Sequence, residues 1–238
     1  MKVMDASELY DPEFRKLIKS KNPTIIIPVG SIEQHGAHLP ITTDSDIVTE
    51  IASRLAKKCG FIVFPTISYG ISEEHDPLFN LSMSYRTLSD IIEDILDSVS
   101  KCKISSLIML NGHHGNSGSL ESIQRLEAKP LLRKIDTFRA FSYWHFMKHE
   151  FDHAGFVETS IMLAISDKVK MKKAKKGLIT KGLSEKEIQR INKLSTKPGG
   201  FPKVAKNGVW GDPTGATKKD GEKFLAEIVR NLAKECQT

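Results

Sequence analysis

Short apolar runs alternate with stretches of helical periodicity along most of the chain. Residues 24–29 are apolar and β-branched, the composition of a buried strand. Ile47, Val48, Ile51, Leu55 and Ala56 recur at helical spacing and predict a helix over 46–58. A second strand is read at 61–64, ended by Pro65. Leu88, Ile91, Ile92, Ile95, Leu96 and Val99 mark an amphipathic helix over 87–101, with Thr87 or Ser89 near its start. Residues 106–110 read as a third buried strand, 119–128 as a helix and 137–143 as a fourth strand. Further helices are expected at 158–165 and 218–235. Strand, helix, strand, helix with short links predicts an α/β fold, a mainly parallel sheet flanked by helices on both faces. Residues 195–217 break the pattern with Pro198, Gly199, Gly200, Pro202, Gly211 and Pro213, and read as a loop. Too little chain follows that loop to build a second core, so residues 1–238 are expected to form a single domain.

Composition narrows the function classes. The chain is 39% hydrophobic and 27% charged, as in a soluble globular protein. No run approaches the roughly 18 consecutive apolar residues of a membrane span. Met1-Lys2-Val3-Met4-Asp5 does not lead into a secretory signal, so a cytoplasmic location and no membrane partner are expected. The net charge is +6, with a lysine-rich stretch at 168–176. Without interleaved aromatics or a nucleic-acid module, that stretch reads as a solvated surface segment and not as a nucleic-acid site. Its positive field could also draw in a phosphorylated substrate. Cys59, Cys102 and Cys236 are widely spaced and read as reduced thiols.

The candidate chemistry sits just past the strands. Residues 30–40 (GSIEQHGAHLP) follow the 24–29 run and carry Glu33 and His35, with Asp44 returning from the loop beyond. Two residues apart on an extended segment, Glu33 and His35 face the same way. Carboxylate and imidazole are ligands of Zn²⁺, Mn²⁺ or Fe²⁺, although a Glu-x-His pair alone is also an ordinary loop feature. A second cluster, Asn111-Gly112-His113-His114-Gly115-Asn116, follows the third strand, and His113 is its candidate ligand. Sites in open α/β sheets lie outside the carboxyl ends of the strands, where these two clusters should converge. In a third segment, 152–160, Glu158 is placed to supply a carboxylate to a second metal and His153 to act as general acid/base. The same acidic residues also suit a plain helix N-terminus.

These segments, with YGISEEH at 69–75, DHAGFVETS at 152–160 and GVWGDPTGAT at 208–217, resemble the creatininase (creatinine amidohydrolase) family in order and over residues 24–221. The resemblance implies an α/β hydrolase of C–N bonds other than ordinary peptide bonds, working through two divalent ions (Zn, Fe or Mn). It implies a homo-oligomer, a hexamer by family. Glu33 and His113 would hold one ion, His35 the other, with Asp44 bridging. Glu158 would replace the family's carboxylate at the position of Gly115, and His153 would protonate the leaving nitrogen. His38, Glu74, His75, His114 and Trp144 are expected at the substrate. His38 is also read as an orienting or loop-packing group, and Trp144 and Trp210 as core or interface residues. With Gly115, and with Phe156 where many relatives carry Glu, the chain looks most like the archaeal formamidopyrimidine-nucleotide deformylases of riboflavin biosynthesis. The implied partner is thus a small molecule, a phosphorylated pyrimidine. A creatinine-type cyclic amidase, a mycofactocin-precursor peptidase and a non-catalytic metal-binding protein are the alternatives.

Overall fold

The computed structural model describes residues 4–102, 104, 106–125 and 135–236. Five strands form one sheet in the order β1-β3-β2-β4-β5, every neighbouring pair parallel. They are β1 (Met4–Asp5), β2 (Thr24–Val29), β3 (Ile62–Val63), β4 (Ser106–Asn111) and β5 (Thr137–Ser142). The helices are α1 (Asp11–Lys21), α2 (Thr43–Cys59), α3 (Tyr85–Lys101), α4 (Ser117–Arg125), α5 (Phe156–Ile165), α6 (Glu185–Ser195), α7 (Phe201–Val204) and α8 (Lys218–Glu235). This is the expected α/β architecture.

Each strand side chain alternates between two cores. Ile26, Ile108 and Leu110 pack with α2, α5 and α8. Ile25, Ile27, Val29, Leu107 and Met109 pack with α3 and α4 on the other face. Burial on both faces explains the uninterrupted apolar runs of β2 and β4. From β2 the chain winds to β3 on one side and returns through α3 to β4 on the other. The β2/β4 boundary is therefore the topological switch point, where a crevice opens beyond the strand ends. Val29 and Asn111, the last residues of β2 and β4, lie in register there.

Several boundaries differ from the sequence expectation. Helix α2 starts at Thr43 rather than at residue 46, so Asp44 sits in its first turn and not in a loop. Helix α3 starts at Tyr85, because Ser84 Oγ caps the Thr87 amide; Thr87 is inside the helix rather than at its edge. The strand read at 61–64 shrinks to two residues, β5 stops before a 3-10 turn at Tyr143–Phe146, and α5 begins at Phe156. The short strand β1 and helices α1 and α6 escaped the sequence reading, although Phe14, Leu17 and Ile18 in α1 and Ile188, Ile191 and Leu194 in α6 recur at helical spacing. Residues 126–128 of the expected 119–128 helix lie outside the described residues. The 195–217 segment is a loop only in part, since it holds α7 and a 3-10 turn at Pro213–Gly215. It folds back over the switch point: Gly199 N donates to Glu73 O, and Trp210 exchanges two main-chain hydrogen bonds with His153.

Candidate metal centre

Three segments meet at the switch point. The first leaves β2 at Gly30, where a side chain would run into the backbone of Ser45. It is pinned in an extended course by Leu81 N donating to Ile32 O, Glu33 N to Ile41 O and Gln34 N to Phe79 O. Glu33 and His35 consequently face one interior. The second segment turns off β4, where Asn111 Oδ1 accepts from His113 N at 3.0 Å. Asn116 then ties the segments together, donating to Gly30 O at 2.9 Å and accepting from Ile71 N at 2.9 Å. The third is the start of α5, whose Glu158 Oε2 accepts from Ala154 N at 2.7 Å. Ala154 has φ 51°, a left-handed conformation that costs a residue with a Cβ about 1 kcal/mol or more. The Glu158 bond helps hold it between His153 and Gly155.

Asp44 lies at the centre. His35 Nε2 is 3.1 Å from its Oδ1, and His113 Nδ1 is 3.0 Å from its Oδ2. The other nitrogen of each ring faces a main-chain carbonyl: His35 Nδ1 donates to Glu33 O (3.1 Å) and His113 Nε2 to Ile71 O (2.7 Å). A carbonyl can only accept, so each neutral ring keeps its proton there and turns a lone pair toward Asp44. Glu33 Oε2 is 3.3 Å from His113 Nε2, the nitrogen on the Ile71 side of that ring, and Glu158 Oε2 is 3.6 Å from His35 Nε2. Ligands about 2.0–2.1 Å from one tetrahedral ion stand roughly 3.3 Å apart, close to the spacings of His35 Nε2 from Asp44 and Glu158 and of His113 Nδ1 from Asp44. Two donor groups result, Glu33–Asp44–His113 and His35–Asp44–Glu158, sharing Asp44. Glu33–His35–His153 and Glu33–Glu74–His75 form further groups of donors within reach of one another.

The electrostatics call for positive charge. Glu33, His35, Asp44, His113 and Glu158 are all buried. Glu33 Oε1, Asp44 Oδ2 and Glu158 Oε1 have no hydrogen-bond partner of proper geometry. Buried carboxylate oxygens left so are costly unless a cation meets them. Without one, protons take the part. Burial pulls the His35 pKa down, but Asp44, Glu158 and Glu33 outweigh it and raise it to about 10. His113 rises well above its ordinary value, against burial, through Glu33, Asp44 and Glu74. Burial works to raise Asp44, yet the two rings hold it far below the carboxylate range. Glu158 is driven well up, first by burial and then by Asp44 and Asp152. The donor set thus fits divalent cations.

A cavity of about 530 Å³ opens onto the cluster. His75, Glu74, His114 and His153 line it, as do Phe201 and Trp210. His75 Nε2 lies 2.9 Å from Glu33 Oε1, and Glu74 Oε1 is 3.4 Å from His113 Nε2. His153 Nδ1 is 3.8 Å from Glu33 Oε1, and burial with the nearby His35 and His75 holds its pKa well below 6.5. Two expected substrate residues do not line the cavity. His38 is buried behind the centre, its Nε2 3.0 Å from Thr159 Oγ1. Trp144 stands behind the cavity wall, stacked on His114 and tilted against Phe151. Phe156 also turns away, packing on His149 and Phe224. The sequence reading missed Phe201, Asn192, Ser195 and Thr196, which line the cavity from α6, α7 and their link. No motif marks them; only the glycines and prolines that fold 195–217 inward gave a signal.

His38 supplies a pH test. Burial, then the neighbouring His35, lowers its pKa to about 4. An unfolded chain holds more protons than the folded one between pH 4 and 6.5, so this residue removes stability as pH falls through that window. The difference is at most about 3 kcal/mol. In denaturant melts of metal-free protein, His38→Gln is expected to lose less stability than wild type between pH 6.5 and 4. Equal losses would contradict the assignment.

A parallel α/β sheet with a buried carboxylate–imidazole cluster at its switch point defines a metalloenzyme class. Within that class the chain belongs to the creatininase family, whose profile, described as creatinine amidohydrolase, matches residues 7–236. The family is one of metal-dependent amidohydrolases, and the chain is an enzyme of that kind. The mycofactocin precursor peptide peptidase of Mycobacterium ulcerans is 32% identical over 219 residues, 87% of this chain and 82% of the relative. A 2-amino-5-formylamino-6-ribosylaminopyrimidin-4(3H)-one 5'-monophosphate deformylase of Methanosphaera stadtmanae is 36% identical over 114 residues, 46% of this chain and 48% of the relative. The crystal structure of a creatinine amidohydrolase superposes with a TM-score of 0.81 at 24% identity, covering 99% of this chain and 97% of that one, and shows the shared fold. Solved creatininases include a manganese form and a Zn–Zn form. Among the described residues no helix is long and apolar enough to cross a membrane.

Proposed function

We propose that this chain hydrolyses a C–N amide bond of a small substrate at two divalent ions, one held by Glu33, Asp44 and His113, the other by His35, Asp44 and Glu158. The observation that carries the reading is Asp44, each of whose oxygens faces a ring nitrogen tethered on its far side to a main-chain carbonyl. Bound ions supply Lewis-acid polarisation of the amide carbonyl and lower the pKa of water from 15.7 to about 7. The protein's own groups do the rest. Glu158 takes over the carboxylate role that Gly115 cannot play, because any side chain at 115 would collide with Ile71 O. His153, held neutral by burial and its neighbouring histidines, takes the proton that the attacking water gives up and passes it to the leaving nitrogen. Phe151, Phe201 and Trp210 form an apolar wall that keeps bulk water off the reacting centre. Zinc, manganese and iron suit this ligand set alike.

For the substrate, the deformylase expectation gives way to a non-phosphorylated, peptide-type amide. A phosphate ester carries nearly two negative charges and is held by Arg, Lys or a nest of amides. Among the described residues no Lys or Arg lines the cavity, whereas Glu73, Glu74 and Asp152 do. The lysines of 168–176 do not line it either. The long alignment with a peptidase supports the same choice over the half-length alignment with a deformylase. Metal-loaded protein is expected to cleave short peptides and to leave the formylaminopyrimidine nucleotide and creatinine intact. Turnover of the nucleotide with peptides untouched would restore the deformylase reading.

The chain is also proposed to form a homo-oligomer. Phe79 (51% exposed), Leu81 (46%), Ile41 (44%) and Tyr69 (49%) cluster on the outer side of the site-bearing segment. The backbones of Phe79, Leu81 and Ile41 are hydrogen-bonded directly to it. Exposed apolar surface of this density marks an association face. Sedimentation is expected to show a multimer that Phe79→Glu with Leu81→Glu dissociates; an unchanged mass would contradict this face.

A further inference from the structure

Tyr143 follows β5 directly, one residue past Ser142, which lies in register with Asn111 at the end of β4. It therefore stands at the carboxyl end of the sheet, beside the switch point. Its side chain is fully buried in one cluster with Ile47 and Val48 of α2 and with Ala154 and Val157 at the start of α5. Ile47 and Val48 lie one helical turn beyond Asp44, and Val157 adjoins Glu158. The ring is met edge-on by Trp144 at 5.3 Å and by Phe151 at 6.1 Å. A phenol oxygen lies on the ring axis, so this packing fixes where the hydroxyl points.

That hydroxyl is buried without a hydrogen-bond partner, and so is Glu158 Oε1. Phenylalanine would fill the same apolar place, whereas a buried phenol costs stability unless something accepts its proton. Burial, then the charges of Glu158, Asp44 and Asp152, hold its pKa well above the ordinary value, so it faces these carboxylates as a donor. The two oxygens of Glu158 have different surroundings. Oε2 accepts from Ala154 N at 2.7 Å and lies on the His35 side, 3.6 Å from Nε2. Oε2 is thus the oxygen that faces the proposed ion, and Oε1 is left to a donor. We propose that Tyr143 is a positioning residue whose hydroxyl donates to Glu158 Oε1 in the metal-loaded protein, holding Oε2 toward the ion shared with His35 and Asp44. The proposal rests on the two-ion reading of this centre. A hydrogen bond to a charged carboxylate is stronger than one between neutral groups, so the contact gains most when Glu158 serves a cation.

Zinc titration against a competing chelator, with thermal melts of the metal-free protein, tests this in wild type and Tyr143→Phe. The variant is expected to bind one of its two ions about 10- to 100-fold more weakly, the usual cost of losing a group that orients a metal ligand. The other ion should bind as in wild type. Metal-free Tyr143→Phe is expected to melt no lower than wild type, because the hydroxyl has no bond there to lose. A merely structural tyrosine would do the reverse, lowering the metal-free melt and leaving both affinities alone. In a Glu158→Ala background the same substitution should leave zinc affinity unchanged, since the acceptor is gone. Equal zinc affinities in wild type and Tyr143→Phe, a lower metal-free melt in the variant, or an undiminished effect in Glu158→Ala would each overturn the proposal. Wild-type protein that binds fewer than two ions would instead refute the two-ion reading, and the proposal with it.

Discussion

Replacing Asp44 with asparagine is expected to empty both cation positions at once and to lower activity by about 10³-fold or more. No other single ligand should do this, because only Asp44 belongs to both donor groups. The substitution keeps the side chain's shape but turns one of its two acceptor oxygens into a donor, which repels a cation. Elemental analysis should find Glu158→Gln depleted mainly of one ion and Asp44→Asn depleted of both. A second readout needs no metal. In metal-free wild type, His35 is raised to about 10 and gains stability from Asp44, Glu158 and Glu33. For a histidine so raised, that stability is fully present below about pH 6.5 and is lost as pH rises through the folded value. Metal-free wild type should therefore weaken between pH 7 and 10, and Asp44→Asn should weaken less, because the partner at 3.1 Å has lost its charge.

His153→Ala is expected to leave both ions in place and to lower kcat by about 10²–10⁴-fold, the range for a lost general acid. The ring stands at the cavity edge of the cluster, 3.8 Å from Glu33, while both proposed ion positions keep three ligands without it. It is neutral near pH 7, because burial and two neighbouring histidines disfavour its charged form. A group in that state gives up a proton only when something in the reaction makes it a stronger acid or first hands it one. Substrates with a better leaving nitrogen should thus lose less rate on His153→Ala. Full activity in the variant would remove His153 from the mechanism, and loss of metal would recast it as a ligand through the Glu33–His35–His153 group.

The sequence was most legible where one physical rule governed a segment. Helices α2, α3 and α8 show clean periodicity because each buries a defined face, and strands β2 and β4 stand out as unbroken apolar runs because both of their faces are buried. The convergence of Glu33, His35, Asp44 and His113 could be read because residues just past parallel strands must meet at the switch point. Glu158, on a helix, was placed through the family resemblance of 152–160. Asp44 was misplaced in a loop because polar Thr43, Asp44, Ser45 and Asp46 hide the first turn of α2, whose buried face there is the site itself and not the core. His38 and Trp144 were drawn to the substrate by residue type, yet their contacts with Thr159 and with His114 are tertiary and leave no trace in spacing. Phe201 and the end of α6 reach the cavity only because 195–217 folds back over it, which no local pattern encodes.

The central claim is a pair of ions bridged by Asp44. Anomalous diffraction from crystals loaded with zinc or manganese tests it most directly. The expected result is two peaks about 3.5–4 Å apart, the spacing of two-metal hydrolytic sites, on either side of the Asp44 carboxylate. His113 and Glu33 should flank one peak, and His35 and Glu158 the other. A single peak, or two peaks with Asp44 bound to only one of them, would contradict the account.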